Sequence, residues 1–374
     1  MKILHFGKYY PPFFGGVEKV NYDLVERLNN FKDCHVDELC FAHSVGYQET
    51  FVTTRYKVFR VPIWGIKCST PLPKGIIRNF LRIRKDYDII HVHVPNPIAS
   101  IVALLAPKKT KVVVHWHSDI IKQKRLLKLF KPFQNIFLRR ADAIIATSQK
   151  YVEASKDLRP YTSKVVVVPI GLDSKEMVYN ERDVENIKRT FGGKRIVLCI
   201  GRMTLYKGHC YLIDAARYID DNTVVVLGGI GELENELKQL VIQNGVNEKV
   251  KFIGRIPQEL IYAYYKAADV FCLPSISRAE AFGVVLLESL AMGTPIVTCN
   301  IEGSGVPWVN KDGVTGYNVP IKNPKALAEK INLLLGNDKL RSEMSANCVK
   351  RYKENFTLDK MVEATYKLYQ SIMK

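Results

Sequence analysis

The sequence predicts an α/β protein of two doubly wound domains, each a parallel sheet covered by helices on both faces. Three observations carry this reading. The 374 residues are too many for one ordinary core and suit two domains of about 170 to 190 residues. Hydrophobic residues make up 47% of the chain, enough for globular folding throughout. Short apolar runs alternate with longer connections in two successive series, the pattern of strand–helix–strand units.

The first series opens with "KILHF", a turn "GKYYPPFFGG" and a helix with Val17, Val20, Leu24 and Leu28 on one face. Gly15-Gly16 is not a G-x-G-x-x-G fingerprint. It fits a flexible turn that lets backbone approach a ligand, and it fits an ordinary strand-to-helix turn equally well. Strands follow at "HVDELCF", "RYKVFRVP", "DIIHVHV", "KVVVHWH", "DAIIATS" and "KVVVVP". Ligands of such sheets bind at the carboxyl ends of the strands. Two strands end in His-x-His, with His91 and His93 before "PNP" and His115 and His117 before "SD". Residues i and i+2 share a face, but no third ligand of suitable spacing accompanies either pair, so no metal is expected. A polar strand end facing a cleft fits better, and "HWHSD" then sets His117, Ser118 or Asp119 against a substrate. "DYD" at Asp86 to Asp88 immediately precedes a strand and reads as structural.

After "VVPIGLDSKEM" a polar stretch runs to Lys194 and marks the domain boundary. The second series comprises "RIVLCIG", "NTVVVLGG", "KVKFIG", "DVFCLP" and "TPIVTCN". "GRMTLYKG" follows its first strand and brings Arg202 and Lys207 to a carboxyl end, where two cations can meet a diphosphate; surface solvation explains them too. The stretch Ser275 to Gly293, "SISRAEAFGVVLLESLAMG", reads as a polar loop entering a buried helix at Gly283. Glu280 then precedes the helix and Glu288 lies inside it, roughly 7 to 8 Å along the axis from Gly283. Amides at a helix start form an anion site. An elongated ligand with hydroxyls at both ends and phosphates between would fit, as would a capped core helix with two incidental glutamates.

The net charge of +18 is unevenly shared, since residues 1–170 carry 28 Lys+Arg against 13 Asp+Glu. "IIKQKRLLKLFKPFQNIFLRR", Ile120 to Arg140, interleaves Lys122, Lys124, Arg125, Lys128, Lys131, Arg139 and Arg140 with Leu126, Leu127, Leu129, Phe130, Phe133 and Phe137. "KGIIRNFLRIRK" has the same character. The pattern suits docking on an anionic membrane face, or a packed helix with a solvated lysine face. No nucleic-acid module accompanies the charge, so nucleic acid is not an expected partner. No run approaches the ~18 apolar residues of a membrane span and the N-terminus lacks a signal-peptide profile, so a cytoplasmic protein is expected. The eight cysteines are scattered without a C-x2-C pair, as buried reduced thiols would be.

Taken in order, "PPFFGGVE", "HVHVPNP", "HWHSD", "VVPIGLD", "GRMTLYKG", "FIGRI" and "EAFGVVLLE" resemble the retaining GT-B glycosyltransferases of the large group 1 class, over nearly the whole chain. "WHSDIIKQK" and "GSGVPWVN" are similar to bacterial mannosyltransferases of surface-polysaccharide (O-antigen or capsule) assembly. The resemblance implies two Rossmann-like domains facing a cleft. Residues 1–170 form the acceptor domain, 171–355 the nucleotide-sugar donor domain, and 356–374 a helix crossing back to the first. It implies that Arg202 and Lys207 pair with the diphosphate, with Gly201 beside them, and that Glu288 bonds the ribose hydroxyls. Glu280 and the Phe282, Gly283 and Val284 backbone meet the sugar and phosphates, and Arg255 and Ile256 flank the base. Gly15 and Gly16 approach the donor and His117 lies by the transferred sugar, while Ser118 and Asp119 are acceptor-side candidates. Ser289-Leu290 stands where the family commonly has Ala-Met, a change expected to be harmless. The implied activity is retaining transfer of a hexose from a GDP- or UDP-sugar, preferably GDP-mannose, to a saccharide or lipid-linked acceptor. No metal cofactor is implied, and the enzyme would sit peripherally on the inner face of the cytoplasmic membrane. The rival readings are a sugar-nucleotide epimerase or glycoside phosphorylase of the same architecture, and a non-catalytic basic membrane scaffold.

Overall fold

The computed structural model describes residues 1–13, 15–46, 51–67, 70–120 and 124–374. Phe14, Cys68 and Lys122, which belong to motifs named above, lie outside the described residues, as do the side chains of Lys124, Arg125 and Leu126. The chain divides into two compact units, Met1–Ile170 with Asp359–Lys374, and Gly171–Leu358.

In the first unit, β1 (Lys2–Phe6) leads through α1 (Gly16–Leu28) to β2 (His35–Phe41). Next come β3 (Phe51–Val52), β4 (Lys57–Val61) and a hairpin of β5 (Ile63–Lys67) and β6 (Thr70–Pro73). The chain continues through α2 (Ile76–Ile83), β7 (Ile89–Val94), α3 (Pro97–Ala103), β8 (Lys111–Trp116), α4 (Lys124–Arg140), β9 (Ala143–Ala146), α5 (Gln149–Ala154) and β10 (Val165–Val167). The main sheet has the order β10-β9-β8-β7-β1-β2-β4-β3, parallel except for β3 on the edge. Its strands are Val- and Ile-rich without alternation, as both faces are covered; β7 is buried at every position. Asp88 accepts from the Lys2 amide at 2.9 Å, so it fixes the start of β1 beside β7.

The second unit runs α6 (Glu181–Thr190), β11 (Arg195–Ile200), α7 (His209–Ala215), β12 (Thr223–Gly228), α8 (Glu234–Gln243), β13 (Val250–Gly254), α9 (Ile261–Ala267) and β14 (Val270–Leu273). Then come α10 (Val284–Met292), β15 (Ile296–Cys299), α11 (Val306–Val309), β16 (Gly316–Val319), α12 (Pro324–Leu335) and α13 (Asp338–Asn355). Its sheet is wholly parallel, in the order β13-β12-β11-β14-β15-β16. The last helix, α14 (Leu358–Met373), carries the residues that rejoin the first unit, where Tyr366 stacks on Phe31 and donates to Asp33.

All twelve strands read from the sequence are present. The edge elements β3, β5, β6 and β16 are additions that short, polar or Pro-containing segments did not announce. Seven cysteines among the described residues are free thiols.

Parallel sheets order their strands by connections over the faces, so each reverses direction of growth at one place. In the second unit the reversal lies between β11 and β14, and in the first between β1 and β7.

At Gly316 φ is +147° and a Cβ would stand 1.8 Å from the Ile296 carbonyl oxygen on β15. Gly316→Ala should therefore lower stability by at least about 2 kcal/mol, a fall in Tm of roughly 4 to 8 °C for a unit of this size. Thermal unfolding of the full chain checks it.

Candidate active site

In the second unit, the loops leaving β11 and β14 meet at the reversal. Lys207, in the first loop, places Nζ 2.6 Å from Glu280 Oε2 in the second, and both side chains are about 11% exposed. Burial works to lower the Lys207 pKa, but Glu280, Tyr206 and the hydrogen bond to Glu280 outweigh it and hold the ammonium above its usual range. Ser275 Oγ donates to the same Glu280 oxygen at 3.1 Å. Gly283, at φ +80°, turns the loop into α10, where a Cβ would press on the Leu286 side chain. In the first turn of α10 the Leu286 amide donates to the Gly283 carbonyl at 2.8 Å, while the amides of Val284 and Val285 have no intrahelical acceptor. Phe282 is buried against Trp308 and Phe356, so only its backbone is available to a ligand.

One turn into α10, the half-buried Glu288 accepts from Tyr265 Oη at 2.6 Å. Burial raises its pKa, opposed by the Tyr265 hydrogen bond and by Lys207. Arg202 and Arg255 are exposed just beyond β11 and β13. Ile256 lies close to Gly228, where a Cβ would meet its Cδ1 at 2.7 Å. Gly201 adjoins the Lys207 stem. His209 follows at the start of α7; burial and then Lys207 depress its pKa to about 4.

In the first unit, Gly15 is the N-cap of α1 and Gly16 its first residue; a Cβ on Gly16 would meet no atom within 4 Å. Asn96 Nδ2 donates to the Gly7 carbonyl at 3.2 Å, tying the loops after β7 and β1 at the reversal. His117 lies just past β8, its amide bonded to the Val94 carbonyl. Asp119 is tied into the fold: its Oδ1 accepts from Trp116 Nε1 at 3.0 Å and from Ser155 Oγ at 2.8 Å. Ser118 is half-buried between them.

His117 is one of five histidines buried in the first unit. The register of β1, β7 and β8 pairs His5 with His91 and His93 with His115, so five rings gather on one face of the sheet. The strand neighbours thus supply the third histidine that spacing within either His-x-His lacks: nitrogens of His91, His93 and His115 lie within 4.8 Å of one another. The rings, however, are stacked, His91 on His93 at 18° and His93 on His115 at 26°. A ligating lone pair lies in the ring plane, so stacked rings do not converge on one ion. Burial depresses the pKa of His5 to about 4 and of His117 to about 3, and holds His91, His93 and His115 well below the usual range. All five are neutral at pH 7.

The outer faces of α2 and α4 are apolar and basic. On α4, Leu129, Phe133 and Ile136 are 74%, 46% and 50% exposed and, at i, i+4 and i+7, share a stripe flanked by Lys128 and Arg139. Gln134, Phe137 and Leu138 face inward. On α2, Ile77 and Leu81 are exposed beside Arg78 and Arg82. No helix among the described residues is long and apolar enough to cross a membrane.

The structure thus joins Lys207 to Glu280 directly and sets Glu288 one turn deeper. Sequence reasoning missed Ser275, Tyr265 and the histidine column. Only the column left a usable signal, the repeated strand-end histidines.

Residues 180–351 match the family described as "Glycosyl transferases group 1" and residues 14–176 "Glycosyltransferase Family 4". The chain is 34% identical over 380 residues to the O-antigen chain mannosyltransferase C of Escherichia coli, covering 100% of this chain and 99% of that one. It is 32% identical to the D-rhamnosyltransferase WbpZ of Pseudomonas aeruginosa, covering 96% and 92%. Its fold is similar to that of Anabaena HepE, solved in complex with UDP, with a TM-score of 0.80 at 20% identity and coverage of 99% and 100%. Sucrose-phosphate synthase from Thermosynechococcus elongatus matches with the same TM-score at 21% identity, covering 100% and 99%. Two Rossmann-like parallel sheets, both family matches and full-length relatives above 30% identity agree: the chain belongs to the group 1 glycosyltransferases and has the GT-B fold.

Proposed function

We propose that this glycosyltransferase transfers mannose, with retention, from GDP-mannose to a saccharide or lipid-linked saccharide in the assembly of a bacterial surface polysaccharide. The observation that carries the reading is the Lys207–Glu280 pair at the strand reversal of the second unit, beside the start of α10. The O-antigen mannosyltransferase relative supports the sugar and the pathway class; the UDP of the HepE complex keeps a uridine donor as the competing choice.

Breaking a sugar–phosphate bond develops positive charge on the ring and negative charge on the leaving diphosphate. Lys207, Arg202 and the first amides of α10 supply a preorganised positive field for that charge, each donor contributing ~3 kcal/mol. Gly201 lets the backbone approach alongside. Glu280, held by Lys207 and Ser275, accepts from sugar hydroxyls and keeps Lys207 charged and in place. Glu288 accepts from the ribose hydroxyls, and Arg255 and Ile256 flank the base. In the first unit, Gly15, Gly16 and His117 are assigned to the transferred-sugar end of the donor and Ser118 and Asp119 to the acceptor side. No metal is assigned a part, because these cations and amides carry the positive charge the leaving group needs. No residue is assigned as a double-displacement nucleophile, so attack comes from the leaving-group face.

The basic, apolar faces of α4 and α2 suit an anionic lipid surface: the apolar stripe enters the headgroup boundary while Lys and Arg meet the phosphates. On this reading the enzyme sits peripherally on the inner face of the cytoplasmic membrane, next to a lipid-linked acceptor.

Lys207→Ala or Glu280→Ala should reduce transfer from GDP-mannose by at least about a hundredfold with unfolding curves that keep one transition. Full activity in both variants would sink the site assignment, and turnover of donor alone into an epimer would favour the epimerase. Because the Glu288 pKa is raised, its carboxylate is lost on acidification at higher pH than an ordinary glutamate's. The donor KM should therefore rise as pH falls toward the acidic range, and Glu288→Gln should flatten that dependence while raising KM about tenfold at pH 7. For the surface, replacing Leu129, Phe133 and Ile136 together by Ser should weaken co-sedimentation with phosphatidylglycerol-containing liposomes; unchanged binding would return α4 to an ordinary solvated helix.

A further inference from the structure

The hydrogen bonds of the first unit's buried histidines form one chain, joined by Asn21 at His5. His117 Nε2 lies 3.0 Å from His93 Nδ1, and His93 Nε2 lies 3.1 Å from His5 Nδ1. His5 Nδ1 also lies 3.0 Å from Asn21 Oδ1, and His5 Nε2 lies 3.0 Å from Tyr369 Oη. Tyr369 Oη bonds His91 Nδ1, and His91 Nε2 lies 3.3 Å from His115 Nδ1. The two ends, His117 Nδ1 and His115 Nε2, are buried with no partner among the described residues.

A neutral imidazole has one donor and one acceptor nitrogen, so fixing one ring fixes all five. Asn21 Oδ1 can only accept. Its amide nitrogen lies on the other side, beside Gly7 and Glu38, buried with no hydrogen-bond partner among the described residues. His5 therefore carries its proton on Nδ1 and shares it between Asn21 and His93 Nε2. His93 must then donate from Nδ1 to His117 Nε2, which leaves His117 protonated on Nδ1. In the other direction Tyr369 donates to His5 Nε2, accepts from His91 Nδ1–H, and His91 Nε2 accepts from His115 Nδ1–H. Every bond then has one donor and one acceptor. Turning the Asn21 amide over reverses all of them together, so no mixed arrangement satisfies the chain.

We propose that Asn21, His5 and His93 are positioning residues that hold His117 as its Nδ1–H tautomer, giving it a fixed hydrogen-bond donor for an oxygen of the sugar being transferred. The site is built: a buried donor left without an acceptor is costly, and His117 stands at a strand's carboxyl end, where a ligand hydroxyl or ring oxygen offsets it. The proposal rests on the assignment of His117 to the transferred sugar. Free histidine prefers Nε2–H in water, so the opposite tautomer in five rings is a signature that packing alone would not produce.

The test uses the full-length protein labelled with 15N-histidine. A two-bond 1H–15N spectrum at pH 7 should show five neutral Nδ1–H imidazoles, with His117 identified by its loss in His117→Gln. His93→Phe keeps a ring of similar shape but cannot bond. It should turn His117 into a tautomer mixture and lower kcat about tenfold to a hundredfold with little change in donor KM. His93→Gln, whose amide can accept from His5 and donate to His117, should restore the pure tautomer and return kcat to within about threefold of wild type. A wild-type spectrum with His117 as Nε2–H overturns the proposal whether or not any variant folds. Wild-type kcat in His93→Phe, with His117→Gln inactive, overturns the positioning role alone. Wild-type transfer by His117→Gln removes the underlying assignment and the proposal with it.

Discussion

Everything at the candidate site of the second unit depends on where a parallel sheet reverses. Each parallel connection must cross a face of the sheet, so loops leaving strands on either side of the reversal diverge to opposite faces and leave a crevice between them. Here those loops follow β11 and β14. They are joined at the crevice by the Ile276 amide, which donates to the Tyr206 carbonyl at 2.9 Å, and by the contact of Lys207 with Glu280 at 2.6 Å. Gly283 in the left-handed region, Ser275 on the Glu280 carboxylate and the Gly305 amide on the Ala281 carbonyl shape the β14 loop around that contact.

The pair is poorly explained as a stabilising device. Taking both charges out of water costs several kcal/mol per ion, and an apolar pair of the same volume is often as stable or more so. What the pair does provide is a cation whose charge is secure and whose position is set before any ligand arrives. Glu288 makes a useful contrast. Its partner is the neutral Tyr265 hydroxyl rather than a cation, so burial is left to raise its pKa. Two glutamates eight residues apart thus have different chemistry because one meets an ammonium and the other a phenol.

The sheet strands were legible because buried parallel strands are written as unbroken runs of Val and Ile, and two such series gave two domains. The helix at Val284 was legible from Gly283 and the apolar run after it. Edge strands were not: β16 is "GYNV" and β6 is "TPLP", which carry no period and hold their places only through a neighbour. The glutamates and Lys207 could be nominated from their loops, yet the residues that hold them, Tyr265 and Ser275, sit in unremarkable local sequence and are chosen by tertiary contact. The histidines show the limit most plainly. Each His-x-His declares a shared face, but that His5 stands beside His91, and His93 beside His115, follows from strand order and register, which no local pattern encodes.

That column also shows why imidazole, rather than another buried polar group, suits the place. A neutral imidazole donates at one edge and accepts at the other, so it can pass hydrogen-bond polarity along a row of strands. An apolar side chain would fill the space but end the chain. This row has two ends that the described residues do not complete, His117 Nδ1 and His115 Nε2. In the proposed arrangement the donor end is His117, just beyond β8 and at the carboxyl edge of the sheet. That is the edge where parallel sheets meet their ligands, and under the proposed assignment a sugar oxygen supplies the acceptor His117 lacks there.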